Sequence, residues 1–341
     1  MSIYEARLSA ALSVLEVHSP TEFSWQGERS QRLSRKVSAA LTPETARAYL
    51  LANIQDTLYT DFYLHGGVHP RRDKTSNVDL PGRTEFVERL SLANVGRGYL
   101  SEKWVIRRLE PGAVVVHRDG LDLWVKPEEC VPTDGDEDST EETIGLWFPK
   151  EHLTFSPGFY LALSDATSSK LHTDRILRLY WNLRGDGAAP FIGATTTILN
   201  QAGVAFKAKV LRSPGQFSRC DAGVLYLQRS DYLRHSNLIA SIHTRVAPWL
   251  SRRNPVFTKP LAPGLALAED TGTGRSFGMD RCRLLAEGAV RAHERGAKSL
   301  RQRVSAVADC FVEAELDPDR PYLAPGSTDD YQLDIEIAST S

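Results

Sequence analysis

Apolar residues recur at helical spacing through A46-R-A-Y-L-L-A-N-I-Q-D-T-L-Y-T-D-F-Y63. Thr42-Pro43, just ahead, has the cap-then-proline form that opens a helix. The pattern predicts a helical segment over residues 1–64, stopped by H65-G-G-V-H-P70, with residues 66–93 as loop. The period then shortens. W104-V-I-R-R108 and A113-V-V-V-H-R-D-G-L-D-L-W-V125 read as strands, with Asp119-Gly120 as a two-residue hairpin turn. Further on, R175-I-L-R-L-Y-W-N-L183 reads as a strand and A188-A-P-F-I-G-A-T-T-T-I-L-N200 as a helix, and two strands follow between Phe206 and Leu227. Ser236 is placed to cap a helix running to Trp249, and the Pro/Gly-rich N254-P-V-F-T-K-P-L-A-P-G264 reads as ordered loop. A last helical stretch runs from Gly278 to Leu316, with breaks expected near Gly288 and Gly296.

The expected fold is α+β. Residues 1–127 form a helical N-terminal region with a small β-hairpin unit, and residues 146–316 a mixed sheet packed with helices. Residues 128–145 are an acidic linker or loop, because E128-E-C-V-P-T-D-G-D-E-D-S-T-E-E142 holds eight acidic residues and no basic one. Residues 317–341 are expected to be a loosely ordered tail.

Composition narrows the class. A chain of 341 residues, 41% hydrophobic and 25% charged, is ordinary for a soluble globular protein. No apolar run approaches the roughly 20 residues that span a bilayer, and M1-S-I-Y-E-A-R7 lacks the basic start and apolar core of a signal peptide. Cys130, Cys220, Cys282 and Cys310 have no C-x-x-C spacing and read as reduced thiols of a cytoplasmic protein. The net charge of −2 conceals an asymmetry. From Arg175 to Arg303 there are 21 Lys and Arg against 8 Asp and Glu, or +13; the remainder holds 20 against 35, or −15. A basic half suggests an anionic ligand, although a solvated basic surface would look the same.

Side chains alternate in direction along a strand. Arg178, Tyr180 and Asn182 therefore share one face of their strand, and Lys207 and Lys209 share one face of theirs, opposite apolar residues. If the strands lie in one sheet, these faces form a cationic wall carrying a phenol; a sheet face in water is the plain alternative. A second feature is T271-G-T-G-R-S-F-G-M-D-R-C282, a Gly/Ser turn feeding a helix N-terminus. Such a turn offers unpaired N–H groups to an anion, with Arg275 in the turn and Arg281 inside the helix. It lacks the G-K-[ST] of a nucleotide P-loop. N94-V-G-R-G-Y99 lacks the third glycine of a dinucleotide fingerprint, and Gly66-Gly67 disfavours the helix a His65/His69 zinc pair would need. Cys220 and His243 read as packed residues, and Arg219 has Asp221 as a local carboxylate partner.

Several blocks lie in order over about residues 45–290: N94-V-G-R-G-Y99 with Trp104, G120-L-D-L-W-V125, R178-L-Y-W-N182, F206-K-A-K-V210, R219-C-D-A-G-V-L-Y226, F257-T-K-P-L-A-P-G264, L267-A-E-D270 and S276-F-G-M-D-R-C282. In these blocks the chain resembles the HopA-type effector family, whose members also serve as lyase components of class V lanthipeptide and thioamitide biosynthesis. The family also resembles, more distantly, the effector phosphothreonine lyases, which use a lysine base, a histidine acid, and arginines and a tyrosine around phosphate.

Carried over position by position, the resemblance implies Lys209 as base with Lys207 as second choice, and Arg219 ahead of an apolar strand. The K-x-H strand of those lyases is represented by Arg178-Leu-Tyr180, so the histidine acid is absent from the matching place. Tyr180, a histidine from elsewhere in the chain, or water is left to protonate the leaving phosphate. Arg178, Arg219, Arg275 and Arg281 are the phosphate candidates, with Asn182, Tyr226 and Ser276 as further ones. The implied reaction removes phosphate from phospho-Ser or phospho-Thr in a precursor peptide, leader and core, after a separate kinase-like protein has added it. The acidic N-terminal region is then the expected docking part for leader or kinase. A non-catalytic phosphopeptide or kinase binder, or a lyase acting on a folded phosphoprotein, are the alternatives. Phosphate carries about −1.5 to −2 charges at pH 7 and suits planar Arg forks, and neighbouring cations favour the neutral lysine that a base requires. The chemistry calls for no metal or organic cofactor, and no nucleic-acid or membrane partner is expected.

Overall fold

A computed structural model describes residues 2–67, 83–133, 142–153, 156–166, 175–272 and 274–334. His69, residues 134–141 of the acidic stretch and residues 335–341 of the expected tail lie outside the described residues.

The chain opens with α1 (Ile3–Val14) and then a three-stranded sheet, β1 (Leu15–Ser19), β2 (Glu22–Trp25) and β3 (Glu28–Arg29). The helical reading of residues 1–64 missed this sheet. Its signal is local: Gln26 and Gly27, both at positive φ, make the two-residue turn between β2 and β3. After α2 (Arg35–Ala40), α3 (Pro43–Thr57) starts as read, with Thr42 Oγ1 accepting the Thr45 N–H at 3.3 Å. It continues into a π-helix over Leu58–Tyr63, a widened turn of a kind that recurs at functional sites.

Next come α4 (Arg83–Ala93), β4 (Tyr99–Glu110), β5 (Ala113–Arg118), β6 (Leu121–Val125), β7 (Cys130–Pro132) and β8 (Thr143–Phe148). These strands pair antiparallel in the order β6-β5-β4-β8-β7 around a small core of Trp104, Val114, Val116, Ile144 and Leu146. The predicted Asp119-Gly120 turn joins β5 to β6, with both residues at positive φ.

The remainder is β9 (Glu151–His152), β10 (Phe159–Leu163), β11 (Ile176–Trp181), α5 (Ala188–Gln201), β12 (Lys207–Leu211), β13 (Gly223–Gln228), α6 (Arg229–Val246), β14 (Lys259–Ala262), β15 (Leu265–Glu269), α7 (Phe277–Glu294) and α8 (Leu300–Glu313). Its seven strands run β14-β15-β11-β13-β12-β10-β9, antiparallel at every pairing. The α+β class holds, but the large sheet is antiparallel, not mixed. The β11–α5–β12 unit does run its strands in the same direction. β13 returns by a short connection and inserts between them, so each neighbour is antiparallel. One face of this sheet buries Leu177, Leu179 and Trp181 against α5 and α6, where Trp181 meets Phe191 at 5.2 Å. The N-terminal helices join this core: Tyr4, Leu8, Leu50, Ile54 and Phe62 belong to the same cluster as the sheet.

Residues 83–93, read as loop, form α4, and the stretch read as acidic linker contributes β7 and the start of β8 to the small sheet. Four more local readings need correction. α6 begins at Arg229, directly after β13, and Ser236 marks only a kink at His235 (φ −128°, ψ 31°). The passage from Asn254 contains β14, an edge strand, where proline is tolerated. α7 is continuous through Gly288, where a Cβ would lie 2.4 Å from the Val307 Cα, so this glycine serves the α7–α8 contact. Only Gly296, at φ +66°, ends a helix. Lastly, residues 317–334 are not loose. Glu269, fully buried, accepts the Ala324 N–H at 2.7 Å and the Ser327 hydroxyl at 2.5 Å, together with the Tyr331 hydroxyl and the Arg175 guanidinium.

Candidate active site

Register decides whether the two polar strand faces meet. Tyr226 of β13 sits between Arg178 of β11 and Lys207 of β12, and Val224 sits between Tyr180 and Lys209. Residues opposite each other in a sheet point to the same side. Arg178, Tyr180, Tyr226, Lys207 and Lys209 thus share one face. A cavity of about 290 Å³ opens there, into which Arg178, Tyr180, Lys209, Arg219, Tyr226, Arg275 and Ser276 all project.

Its cations differ in how they are held. Arg178 donates through Nε and Nη2 to Asp270 Oδ2 at 2.7 and 2.5 Å, and through Nη2 to the Arg275 carbonyl at 3.1 Å. Arg219 forms a two-point pair with Asp221, both contacts 2.8 Å. In each case the carboxylate occupies the Nε/Nη2 edge, and Nη1 donates to none of the described residues. Burial opposes both charges. Tyr180, Asp270 and Tyr226 around Arg178, and Asp221 around Arg219, more than offset it and keep the guanidinia protonated. Lys209 is different. Its Nζ rests over the Phe159 ring at 4.5 Å and the Tyr226 ring at 5.5 Å, with no hydrogen bond or ion pair among the described residues.

The Gly/Ser turn reaches the same cavity. Ser276 is the N-cap of α7 yet makes no side-chain cap bond, so the first N–H groups of the helix lack that partner beside Arg275. The Ser276 hydroxyl instead meets the Tyr59 phenol, whose pKa burial pushes up to about 12. Tyr59 and Tyr63 come from the π-helix, stacked at 5.5 Å, and α7 passes so close that a Cβ on Gly278 would sit 2.3 Å from the Tyr63 ring. Burial also raises Tyr63 and Tyr180, which face each other; Tyr180 keeps its proton at neutral pH. No histidine lines the cavity among the described residues, nor do three His, Cys, Asp or Glu side chains converge anywhere to hold a metal ion.

The sequence model of the HopA1 effector protein family matches residues 151–323. The chain belongs to that family. Among solved structures, two effector proteins are similar in outline, from Pseudomonas syringae pv. tomato strain DC3000 and pv. syringae strain 61. They share 15% and 14% identity, covering 85% and 86% of this chain and 94% and 100% of theirs, with TM-scores of 0.44 and 0.45. No curated protein matches the chain.

Within the HopA1-family segment, three of the named residues stand apart from the cavity. Arg281 is 1% exposed and donates to the carbonyls of Pro321 and Leu323 and to Asp280, so its guanidinium is committed to the C-terminal segment. Asn182 is buried and donates to the Arg253 carbonyl at 2.8 Å. Lys207 shares the face of Lys209 but is exposed beyond Tyr226. Elsewhere, N94-V-G-R-G-Y99 is a structural loop: Asp165 accepts the N–H groups of Arg97 and Gly98 at 2.6 and 3.0 Å. Cys220 is buried, its thiol pushed up to about 12 by burial, as a packed residue.

Sequence reasoning did not find Tyr59, Tyr63 or Phe159. The two tyrosines lie within a helical apolar pattern and Phe159 within an apolar run, so nothing in the linear sequence separates them from core. Asp270 was legible only as part of L267-A-E-D270.

Proposed function

We propose that this HopA1-family chain is a phospho-Ser/Thr lyase. The observation that carries the reading is the Lys209 amino group, with no hydrogen bond or ion pair among the described residues, beside two arginines that each keep an Nη1 edge turned from their carboxylates. With Lys209 neutral as the base, Arg178, Arg219 and Arg275 outnumber Asp221 and Asp270 by one charge, and the N-terminus of α7 adds about +0.5. That excess suits a phosphate of about −1.5 to −2.

In this reading the phosphate sits between the arginine edges and the N-terminus of α7. Neutral Lys209 takes the Cα proton, its electron pair becomes the Cα=Cβ bond, and the Cβ–O bond breaks. Phosphate leaves with that bond's electrons, and the product is dehydroalanine or dehydrobutyrine. Tyr180, kept protonated by burial, donates to the leaving oxygen in the role the missing histidine would hold. Phe159 and Tyr226 hold the Lys209 side chain between their rings. The substrate in this proposal is a precursor peptide phosphorylated by a separate kinase-like protein, as in lanthipeptide-type biosynthesis, with the N-terminal region available for leader or kinase docking. That context rests on the sequence resemblance.

Mass spectrometry of a synthetic phosphoserine/phosphothreonine peptide incubated with the purified protein tests the chemistry. A loss of about 98 Da, phosphoric acid, with gain of a thiol-reactive alkene is the expected result. An unchanged peptide that still binds, with the kinase present or absent, would replace the lyase by a phosphopeptide-binding protein.

A further inference from the structure

Tyr226 lines two spaces. On one side lies the cavity just described; on the other a groove of about 860 Å³ runs between the end of the large sheet and the β4–β6 unit. That volume is within the range of pockets that bury a drug-sized ligand, roughly 300–1,000 Å³, room for a few side chains of a bound peptide. Its lining on the large sheet is mainly apolar, including Leu163, Ile176, Phe206 and Leu227, with Lys207 exposed among them.

The opposite wall is shaped by an irregularity. The β4–β8 register shifts between Ser101 and Trp104, and Lys103 takes φ +64°, a left-handed conformation uncommon outside glycine. The bulge is pinned where Ser101 Oγ accepts the Trp104 indole at 3.1 Å and the Arg118 guanidinium at 2.7 Å. It turns Glu102 and Lys103 outward to the groove. Arg118 also lies 3.5 Å from Asp119, and these two offset each other. Lys103 and Lys207 remain, neither with a hydrogen bond or ion pair among the described residues, against Glu102 alone.

We propose that this groove binds the substrate segment flanking the phosphorylated residue, in extended form, and selects a carboxylate side chain through Lys207, with Lys103 reinforcing it. The site deepens the lyase reading and rests on it for the identity of the occupant. Spacing sets the register. Lys207 lies two residues along β12 from Lys209, roughly 7 Å at about 3.3 Å per residue, so the selected Asp or Glu stands about two to three positions from the phosphoresidue.

The test uses the full chain and fluorescein-labelled phosphothreonine peptides. Glutamates are placed two and three positions to either side, and matched peptides carry lysine instead. Binding is read by anisotropy and phosphate release separately. The wild type is expected to bind the glutamate peptide about tenfold more tightly than its lysine counterpart, and Lys207→Glu, alone or with Lys103→Glu, should invert that preference. Inversion of binding without phosphate release by the wild type would uphold the groove and sink the lyase. Phosphate release with no charge preference, or a preference that Lys207→Glu leaves in place, overturns the groove and spares the lyase. Failure of the wild type to bind either peptide overturns the groove as well.

Discussion

Glu269 and Asp270 are neighbours in sequence but serve opposite sides of the same sheet, and the two regions they anchor are instructive to compare. On the helix-covered side, Glu269 is fully buried and takes donors from Arg175, Ala324, Ser327 and Tyr331. Around Asp270 the arrangement is looser. The carboxylate orients Arg178, whose Nη1 donates to none of the described residues, and Lys209 nearby has rings for company but no counter-ion among them. Both clusters combine arginine, tyrosine and carboxylate, so residue type does not tell them apart. Saturation does: a polar cluster whose donors and acceptors are used up holds the fold, and one left with donors to spare is ready for a ligand. Arg281 and Arg219 make the same contrast, with side chains 1% and 26% exposed.

The contrast is broken most forcefully at Lys209. Lys209→Ala should slow phosphate release by about 10²–10⁴-fold while phosphopeptide binding and melting temperature change little, read by mass spectrometry, anisotropy and calorimetry. Equal loss of stability would make Lys209 a structural residue. Glu269→Ala is the reverse experiment. Removing one partner of a buried charged cluster should cost about 3–5 kcal/mol in urea unfolding, with hydrogen exchange rising first in residues 317–334.

Arg219 tests the middle ground. Arg219→Ala should weaken phosphopeptide binding about 10–100-fold and also destabilise the protein, since Asp221 loses its partner. Arg219→Lys should restore the charge and stability but little of the binding, because the planar fork is lost. Full recovery by lysine would mean the edge geometry is irrelevant. The smallest effect is expected for Tyr331→Phe, which removes one donor of the saturated cluster: about 1–2 kcal/mol in stability, with phosphate release unaltered.

How far these clusters can be read from sequence follows from the range of the interactions that make them. The faces of β11 and β12 were legible because alternation is local, and so were the Thr42 cap and the Asp119-Gly120 turn. That Arg178, Tyr180 and Lys209 share one wall depends on β13 inserting between their strands, which periodicity does not encode. Arg281 was misplaced because its partners, the carbonyls of Pro321 and Leu323, lie about forty residues on, in a segment read as loose. Glu269 was legible only within L267-A-E-D270, since one acidic residue at the end of an apolar strand looks like a strand end.

The π-helix supplies Tyr59 and Tyr63 to the cavity from well outside residues 151–323, the portion that the family model covers. The family signature and the cavity therefore have different borders. A fragment cut at residue 151 would inherit the lysine and the arginines but neither of these phenols. Exchange of such a fragment between relatives would transplant the charges into whatever aromatic wall the recipient already had. Part of the aromatic wall of the cavity thus comes from a helix that the family signature does not record.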